Sequence, residues 1–313
     1  MTAKKIQGAV LGFIAAASYG LNPLFALPLM GAGMNTSSIL WYRYILAIPI
    51  MALMVLARRK SFRVSGRQLL ALGALGICFG VSSLALFESF RYMDSGIAST
   101  LLFIYPLLVA LIMALFFHER LGWATLTGLL LATAGIFMLF KGEDGATLSV
   151  IGTVLVFVSS LTYAIYIVGI NRPLVAGIPT VTATFYVLLF GMTVFLADLL
   201  LREPLSLPSG ALQWGCVVAL AVLPTAVSLF CTTKAITLIG STPTAILGAM
   251  EPVTAIIVSV TVFGGQLTGR DIIGLVLILA AVTLVIAGSS LHSYLNRVRK
   301  LFPFAHRHPD SRK

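Results

Sequence analysis

Four ionisable side chains interrupt otherwise apolar runs of this chain: Arg43, Glu88, Lys234 and Glu251. An ionised side chain in hydrocarbon costs at least about 2.5 kcal/mol on insertion scales, so each must face protein or water and is a site hypothesis from the outset. Glu251 lies about ten residues into its run, hence roughly 15 Å along a helix and close to the membrane midplane. Pro252 follows it. Proline removes the hydrogen bond to the carbonyl one turn earlier, so a carboxylate and a freed carbonyl are expected to line one cavity there. The chemistry on offer is binding of a proton or of a substrate amine. The competing reading is a carboxylate kept neutral, or paired with a neighbouring helix, for packing.

Arg43 stands in Trp41-Tyr42-Arg43-Tyr44. It either binds an anionic group in a cavity flanked by aromatics, snorkels to the surface, or closes an internal salt bridge. Glu88 falls near the outer end of its run and Lys234 near the inner end of its own, so direct pairing is not expected. Each guards one mouth of a central path, or simply snorkels at a helix end. Asp198, nearer still to an end, reads as interfacial. Tyr19 and Asn22, and later Tyr163 and Tyr166, offer hydroxyls and an amide to a polar solute, or pack between helices with one hydrogen bond each. Tyr105, just before Pro106, completes the set.

The elements that must position these residues follow from composition. Hydrophobic residues make up 59 % of the 313 and charged residues 10 %, against about 25 % charged in a soluble domain. Apolar runs of about 20 residues succeed one another almost without pause, and such runs satisfy their backbone groups as helices. Ten spans are expected, at about 6–30, 36–57, 68–91, 95–117, 121–140, 149–170, 180–201, 211–234, 241–263 and 268–290. The first follows Lys4-Lys5 but is longer than a signal-peptide core and carries Asn22-Pro23, so it reads as an uncleaved helix.

The chain repeats itself. At an offset of 146 Pro106 falls on Pro252, Tyr105 on Glu251, Gly128 on Gly274 and Glu88 on Lys234. At 144 Gly8 falls on Gly152, Ser18-Tyr19 on Thr162-Tyr163, and Tyr42 on Tyr186. Five spans per half make the halves inverted in topology: 1–145 and 146–290, followed by a basic cytoplasmic tail at 291–313 whose apolar residues recur at helical spacing. With the N-terminus inside, 15 of the 21 Lys and Arg lie on inside segments. Arg91, Lys141, Arg202 and Arg270 lie outside, and Arg43 and Lys234 within the spans. Both termini are therefore expected in the cytoplasm of a cell with an inner (plasma) membrane.

The net charge of +11 sits at helix ends and argues for topology and the lipid bilayer as partner, not nucleic acid. Cys78, Cys216 and Cys231 have no paired or metal-like spacing and read as packing residues. Gly8/Gly12 and Gly76/Gly80 let helices approach closely. No phosphate-cradling loop, HExxH, paired aspartate or GxSxG motif is present, so no catalytic residue, metal or cofactor is expected. What remains is a binding pocket at a repeat interface.

The run Ser89-Phe90-Arg91-Tyr92 with 95–99 (SGIAS), Tyr105-Pro106-Leu107, His118-Glu119-Arg120-Leu121 and Gly128 resembles the repeat signature of the EamA family in the drug/metabolite transporter superfamily. Lys234-Ala235, Glu251-Pro252-Val253 and the stretch from Leu267 to Gly274 repeat it. The resemblance implies an all-α membrane protein, ten helices in two inverted five-helix repeats, a central cavity, and alternating-access transport without nucleotide hydrolysis. Many members export amino acids or related metabolites; more distant ones exchange sugar phosphates or nucleotide sugars. Two differences stand out: the family's acidic residue after the fourth helix is Glu119 here but Gln266 in the second half, and Glu88 and Lys234 occupy positions more often aromatic or apolar. The expectation is an exporter of amino acids or similar small polar metabolites, with a proton as the candidate coupling ion, for which a monomer suffices. An organic-anion exchanger using Arg43 and Lys234, and a lipid flippase or scramblase, are the alternatives.

Overall fold

The computed structural model describes residues 3–93, 98, 101–118, 122–139, 149–202, 204–263, 269–270, 272–281 and 283–284. The tail at 291–313, Glu119 and Gln266 lie outside them. Every regular element among the described residues is helical: α1 (Ala3–Gly20), α2 (Asn22–Gly31), α3 (Thr36–Ala57), α4 (Gly66–Ser89), α5 (Tyr105–Phe117), α6 (Trp123–Leu139), α7 (Val150–Gly169), the single turn α8 (Pro173–Ala176), α9 (Thr180–Leu201) and α10 (Gly210–Leu220). A π-helical segment, Ala221–Val227, leads without a break into α11 (Ser228–Ile239); then come α12 (Ser241–Leu247), α13 (Met250–Phe263) and α14 (Ile272–Ala281).

Among the described residues, six stretches are long and apolar enough to cross a membrane: Ala3–Gly31, Thr36–Ala57, Gly66–Ser89, Val150–Gly169, Thr180–Leu201 and Gly210–Ile239. Shorter apolar helices occur at Tyr105–Phe117, Thr125–Gly135 and Ile272–Ala281. The last long stretch runs to Ile239 instead of stopping near 234, so Lys234 lies more than a turn inside its helix and not at its end.

Side-chain caps fix where the helices start. Asn35 accepts from the Ser38 N–H at 2.8 Å before α3, and Ser65 and Gln68 form a reciprocal capping box before α4. The antiparallel pair α3 and α9 is tied at both ends. At one, Thr182 Oγ1 and Tyr186 OH donate to the carbonyls of Ser61 (3.0 Å) and Phe62 (2.9 Å). At the other, Asn35 donates to the Pro204 carbonyl (2.8 Å) and Ser37 to the Asp198 carboxylate (2.5 Å), which also pairs with Arg202 at 3.4 Å.

Packing relates the two halves. The extensive α4–α7 contact has its counterpart in α1–α11, and α5–α7 in α1–α13. Ser159 Oγ on α7 donates to the Ser82 carbonyl on α4 (2.8 Å), and Ser228 Oγ on α11 donates to the Ala15 carbonyl on α1 (2.9 Å). These are the same four positions at offsets of 146 and 144, with the hydroxyl supplied from the opposite helix of the pair. The small-residue pairs lie at such crossings. Gly8 abuts Leu238 and Ile239, Gly12 abuts Leu247, and Gly76 and Gly80 abut the α9 backbone at Val187 and Gly191, where a Cβ would come within 2.8 Å of one carbonyl and 2.6 Å of the other.

Candidate solute-binding site

Three helix interruptions converge on the centre, and each has a proline just behind it. Pro23 has no N–H to continue α1, and the chain turns at Leu21 before α2 resumes at Asn22. Pro106 stands in the first turn of α5, after a turn at Phe103-Ile104. The carbonyl four residues back, Leu102 O, is taken by the Ser160 hydroxyl of α7 at 3.0 Å. At the equivalent place in the second half, α12 ends at Leu247 and α13 begins at Met250, just before Pro252. Here the carbonyl left by the proline, Gly248 O, accepts from the backbone N–H of Glu251 at 2.8 Å. The expectation of a free carbonyl beside the carboxylate is thus corrected: the chain tightens to a three-residue turn that consumes it.

Arg43 is fully buried. It neither snorkels nor pairs with a carboxylate among the described residues. Its Nε donates to Thr225 Oγ1, Nη1 to Asn22 Oδ1 (3.2 Å) and Nη2 to the Pro224 carbonyl (3.2 Å). The π-helical segment exists because Pro224 cannot bond Leu220 O and its ring crowds that carbonyl. Thr225 Oγ1 donates to Leu220 O at 2.7 Å instead. One hydroxyl therefore caps the carbonyl orphaned by the proline and accepts from the arginine. The Tyr19 ring lies 5.6 Å from the guanidinium carbon, within cation–π range.

Glu251 is 8 % exposed. Its carboxylate makes no hydrogen bond or ion pair among the described residues. Among the described residues, Thr184 Oγ1 is also a buried polar side-chain atom without a hydrogen-bond partner. The Glu251 carboxylate and the Tyr163 hydroxyl are both left without a hydrogen-bond partner among the described residues, with Glu251 buried. Tyr19 joins the two centres along the chain: its ring faces Arg43, and its neighbour Gly20 meets the Glu251 backbone.

Aromatic rings pack together in the centre. Tyr163 lies edge-on to Tyr105 at 4.8 Å and stacks on Tyr166 at 6.1 Å; Phe79 packs on Tyr166 at 5.0 Å and on Tyr44 at 6.2 Å. Two hydroxyls are committed: Tyr105 OH donates to the Ala245 carbonyl (3.2 Å), joining α5 to α12, and Tyr166 OH bonds Thr233 (3.0 Å). Glycines bring the backbones in. A Cβ on Gly20 would come within 2.6 Å of the Glu251 carbonyl oxygen, and one on Gly248 would overlap the Tyr105 hydroxyl.

Of the residues singled out in the sequence, Tyr19, Asn22 and Arg43 form one contact group, and Tyr105, Tyr163, Tyr166 and Glu251 another, joined through Tyr19. Glu88 stands apart, paired with Arg91 at 3.5 Å. Lys234 stands apart too, lining a separate cavity with Arg58 and Lys60. Sequence reading missed Thr225, Phe79, Ser160, Gly20 and Gly248. The Pro224-Thr225 doublet was the available signal, since a hydroxyl beside an intramembrane proline is placed to cap the carbonyl that the proline frees.

The EamA-like transporter family profile matches residues 6–141 and again 150–287. The uncharacterized transporter YyaM of Bacillus subtilis (strain 168) is 24 % identical over 79 % of this chain and 83 % of its own length. The uncharacterized transporter YdfC of the same organism is 26 % identical over 82 % of each. One solved crystal structure superposes with a TM-score of 0.76 at 21 % identity, covering 88 % of this chain and 95 % of that one, and so shares the fold. With both matches together spanning most of its length and the apolar helices in place, this multi-pass membrane protein belongs to the EamA-like transporter family and is a membrane transporter.

Proposed function

We propose that the protein is a secondary active exporter of amino acids or similar small polar metabolites. It works by alternating access between two inverted five-helix repeats, 1–145 and 146–290, that make ten spans in the cell inner membrane with both termini cytoplasmic. The observation that carries this reading is the Glu251 carboxylate: buried and without a partner among the described residues. An isolated buried charge is costly, and a bound proton or the ammonium group of a solute removes that cost. On the far side of Tyr19 the buried Arg43 cation has only neutral acceptors. A zwitterion with its ammonium toward Glu251 and its carboxylate toward Arg43 compensates both charges at once. Tyr19, Asn22, Tyr105, Tyr163 and Tyr166 shape the site; Glu88 and Lys234 act at its two mouths.

The matched helix interruptions before Pro106 and Pro252, the paired serine contacts and the equivalent helix crossings support the repeat reading. Rocking of the repeats bends the helices at those interruptions. The chemistry asks for no cofactor and a single chain supplies the pathway.

The test is uptake of labelled amino acids into proteoliposomes with and without a pH gradient. The expected result is gradient-dependent transport that becomes gradient-independent or is lost in Glu251→Gln, with the variant still folded. Unchanged pH dependence in that variant removes Glu251 from proton coupling. A second reading, exchange of organic anions or sugar phosphates, draws on the uncompensated charge of Arg43. Competition by phosphorylated solutes, abolished in Arg43→Ala, would establish it, and vesicle lipid-translocation assays would reveal a scramblase.

A further inference from the structure

At the end of the bundle that carries the connections 58–65 and 170–179, a cavity of about 320 Å³ opens between α3, α8, α9 and α11. Arg58, Lys60 and Lys234 line it, and no acidic residue does. Cations at helix ends are ordinary topology signals, and their usual place is an exposed loop tip. These three are arranged differently. α3 closes in a Schellman turn, with the N–H of Arg59 on Leu56 O and that of Lys60 on Val55 O, both at 2.9 Å. Arg59 occupies the left-handed position at φ 49°, where glycine is usual. The reversal brings Arg58 and Lys60, on either side of it, to one cavity wall and leaves Arg59 off it.

Arg58 is held with its guanidinium carbon 4.9 Å from the Phe230 ring centre of α11. Lys234 comes one turn after Phe230 on the same helix, well before the last residue Ile239. Neither Lys60 nor Lys234 makes an ion pair or side-chain hydrogen bond among the described residues. Thr237 gives its hydroxyl proton to the Lys234 carbonyl at 2.8 Å and so offers the cavity no donor. Three like charges line one cavity with no acidic residue among its described lining to offset their repulsion, which is the electrostatic form of an anion site. The volume holds on the order of ten waters at about 30 Å³ each, ample for a phosphate group with part of its hydration shell.

We propose that this cavity is a phosphate-binding vestibule distinct from the Arg43–Glu251 site, with Arg58, Lys60 and Lys234 as its ligands. The phosphate belongs either to a soluble phosphate compound or to the headgroup of an anionic lipid; both present the same oxygens to the same cations. The proposal does not depend on the transported solute and stands if the amino-acid reading fails.

The test is thermal unfolding of the purified protein, wild type and variants, in inorganic phosphate against chloride at matched ionic strength. The same comparison is made in nanodiscs of phosphatidylglycerol against phosphatidylcholine. With phosphate about a hundredfold above its Kd, the melting temperature rises by roughly 4 °C. The rise is lost in Lys234→Gln and in Lys60→Gln and kept in Lys234→Arg. A rise in soluble phosphate assigns the vestibule to free phosphate compounds. A rise confined to phosphatidylglycerol, with the same pattern among variants, assigns it to lipid. No phosphate- or lipid-specific rise, or one that survives both Lys→Gln changes, overturns the proposal. Lys60→Gln, in a connection and outside any helix, keeps the test decisive should Lys234→Gln fail to fold.

Discussion

Arg43 and Thr225 are bound through the defect that Pro224 makes in its own helix. Pro224 orphans the Leu220 carbonyl, Thr225 Oγ1 caps it at 2.7 Å, and the same oxygen accepts from Arg43 Nε. The π-helical turn is thus the local change that gives a full-length arginine room between α3 and the helix it crosses. In the matching crossing of the other half, Gly76 and Gly80 of α4 meet Gly191 of α9 almost backbone to backbone. One crossing encloses a cation; the other closes on glycines, with the Tyr44, Phe190 and Val194 side chains against them.

Thr225→Val keeps the shape and removes the hydroxyl. It leaves Leu220 O without its cap and one guanidinium N–H without its acceptor, so stability falls by about 1 kcal/mol or more. Thr225→Ser, which keeps the hydroxyl, recovers most of the loss. Unfolding monitored by thermal shift in detergent checks both, and an unperturbed Thr225→Val would show that the bond carries no weight.

Glu251→Gln keeps the volume and removes the charge. The variant is expected to fold at least as well as the parent, because an unpartnered buried charge has been replaced by a neutral amide. Transport of a zwitterionic solute should fall by at least tenfold and lose its response to a pH gradient. Flux in proteoliposomes, alongside the melting temperature, separates the two effects.

Gly20→Ala and Gly248→Ala test how tightly the backbones close around the site. The new methyl on residue 20 meets the Glu251 carbonyl, which belongs to the backbone and cannot swing aside, and the one on residue 248 displaces the Tyr105 hydroxyl from the Ala245 carbonyl. Each should cost roughly 1–3 kcal/mol. Gly31→Ala, with nothing within 4 Å of the added carbon, should be neutral or mildly stabilising. Thermal unfolding of the three variants side by side reads the difference.

Arg59→Gly relieves a left-handed arginine at φ 49°. L-residues pay roughly 1–2 kcal/mol in that conformation and glycine does not, although glycine gives part of this back through its freer unfolded chain. A small rise in melting temperature is expected. Phosphate binding should be unchanged, since residue 59 does not line the vestibule; isothermal titration with inorganic phosphate checks this.

What the sequence determined by itself is what depends on residue type along the chain. Long apolar runs oblige the backbone to satisfy itself as helices, prolines mark where those helices break, and the motifs around Pro106 and Pro252 identify the family. The breaks before these two prolines, the close approach at Gly8, Gly12, Gly76 and Gly80, and the isolation of Glu88 from Lys234 were all legible on those grounds. Only the tertiary structure decided who answers each unsatisfied group. Leu102 O found Ser160, Leu220 O found Thr225, Gly248 O found the N–H of Glu251, and Arg43 found neutral acceptors in place of an anion. A lone proline or charge in a sequence states that a partner is needed; whether a residue of the same turn, as for Leu220 and Gly248, or a neighbouring helix, as for Leu102 and Arg43, answers it is set by how the helices pack.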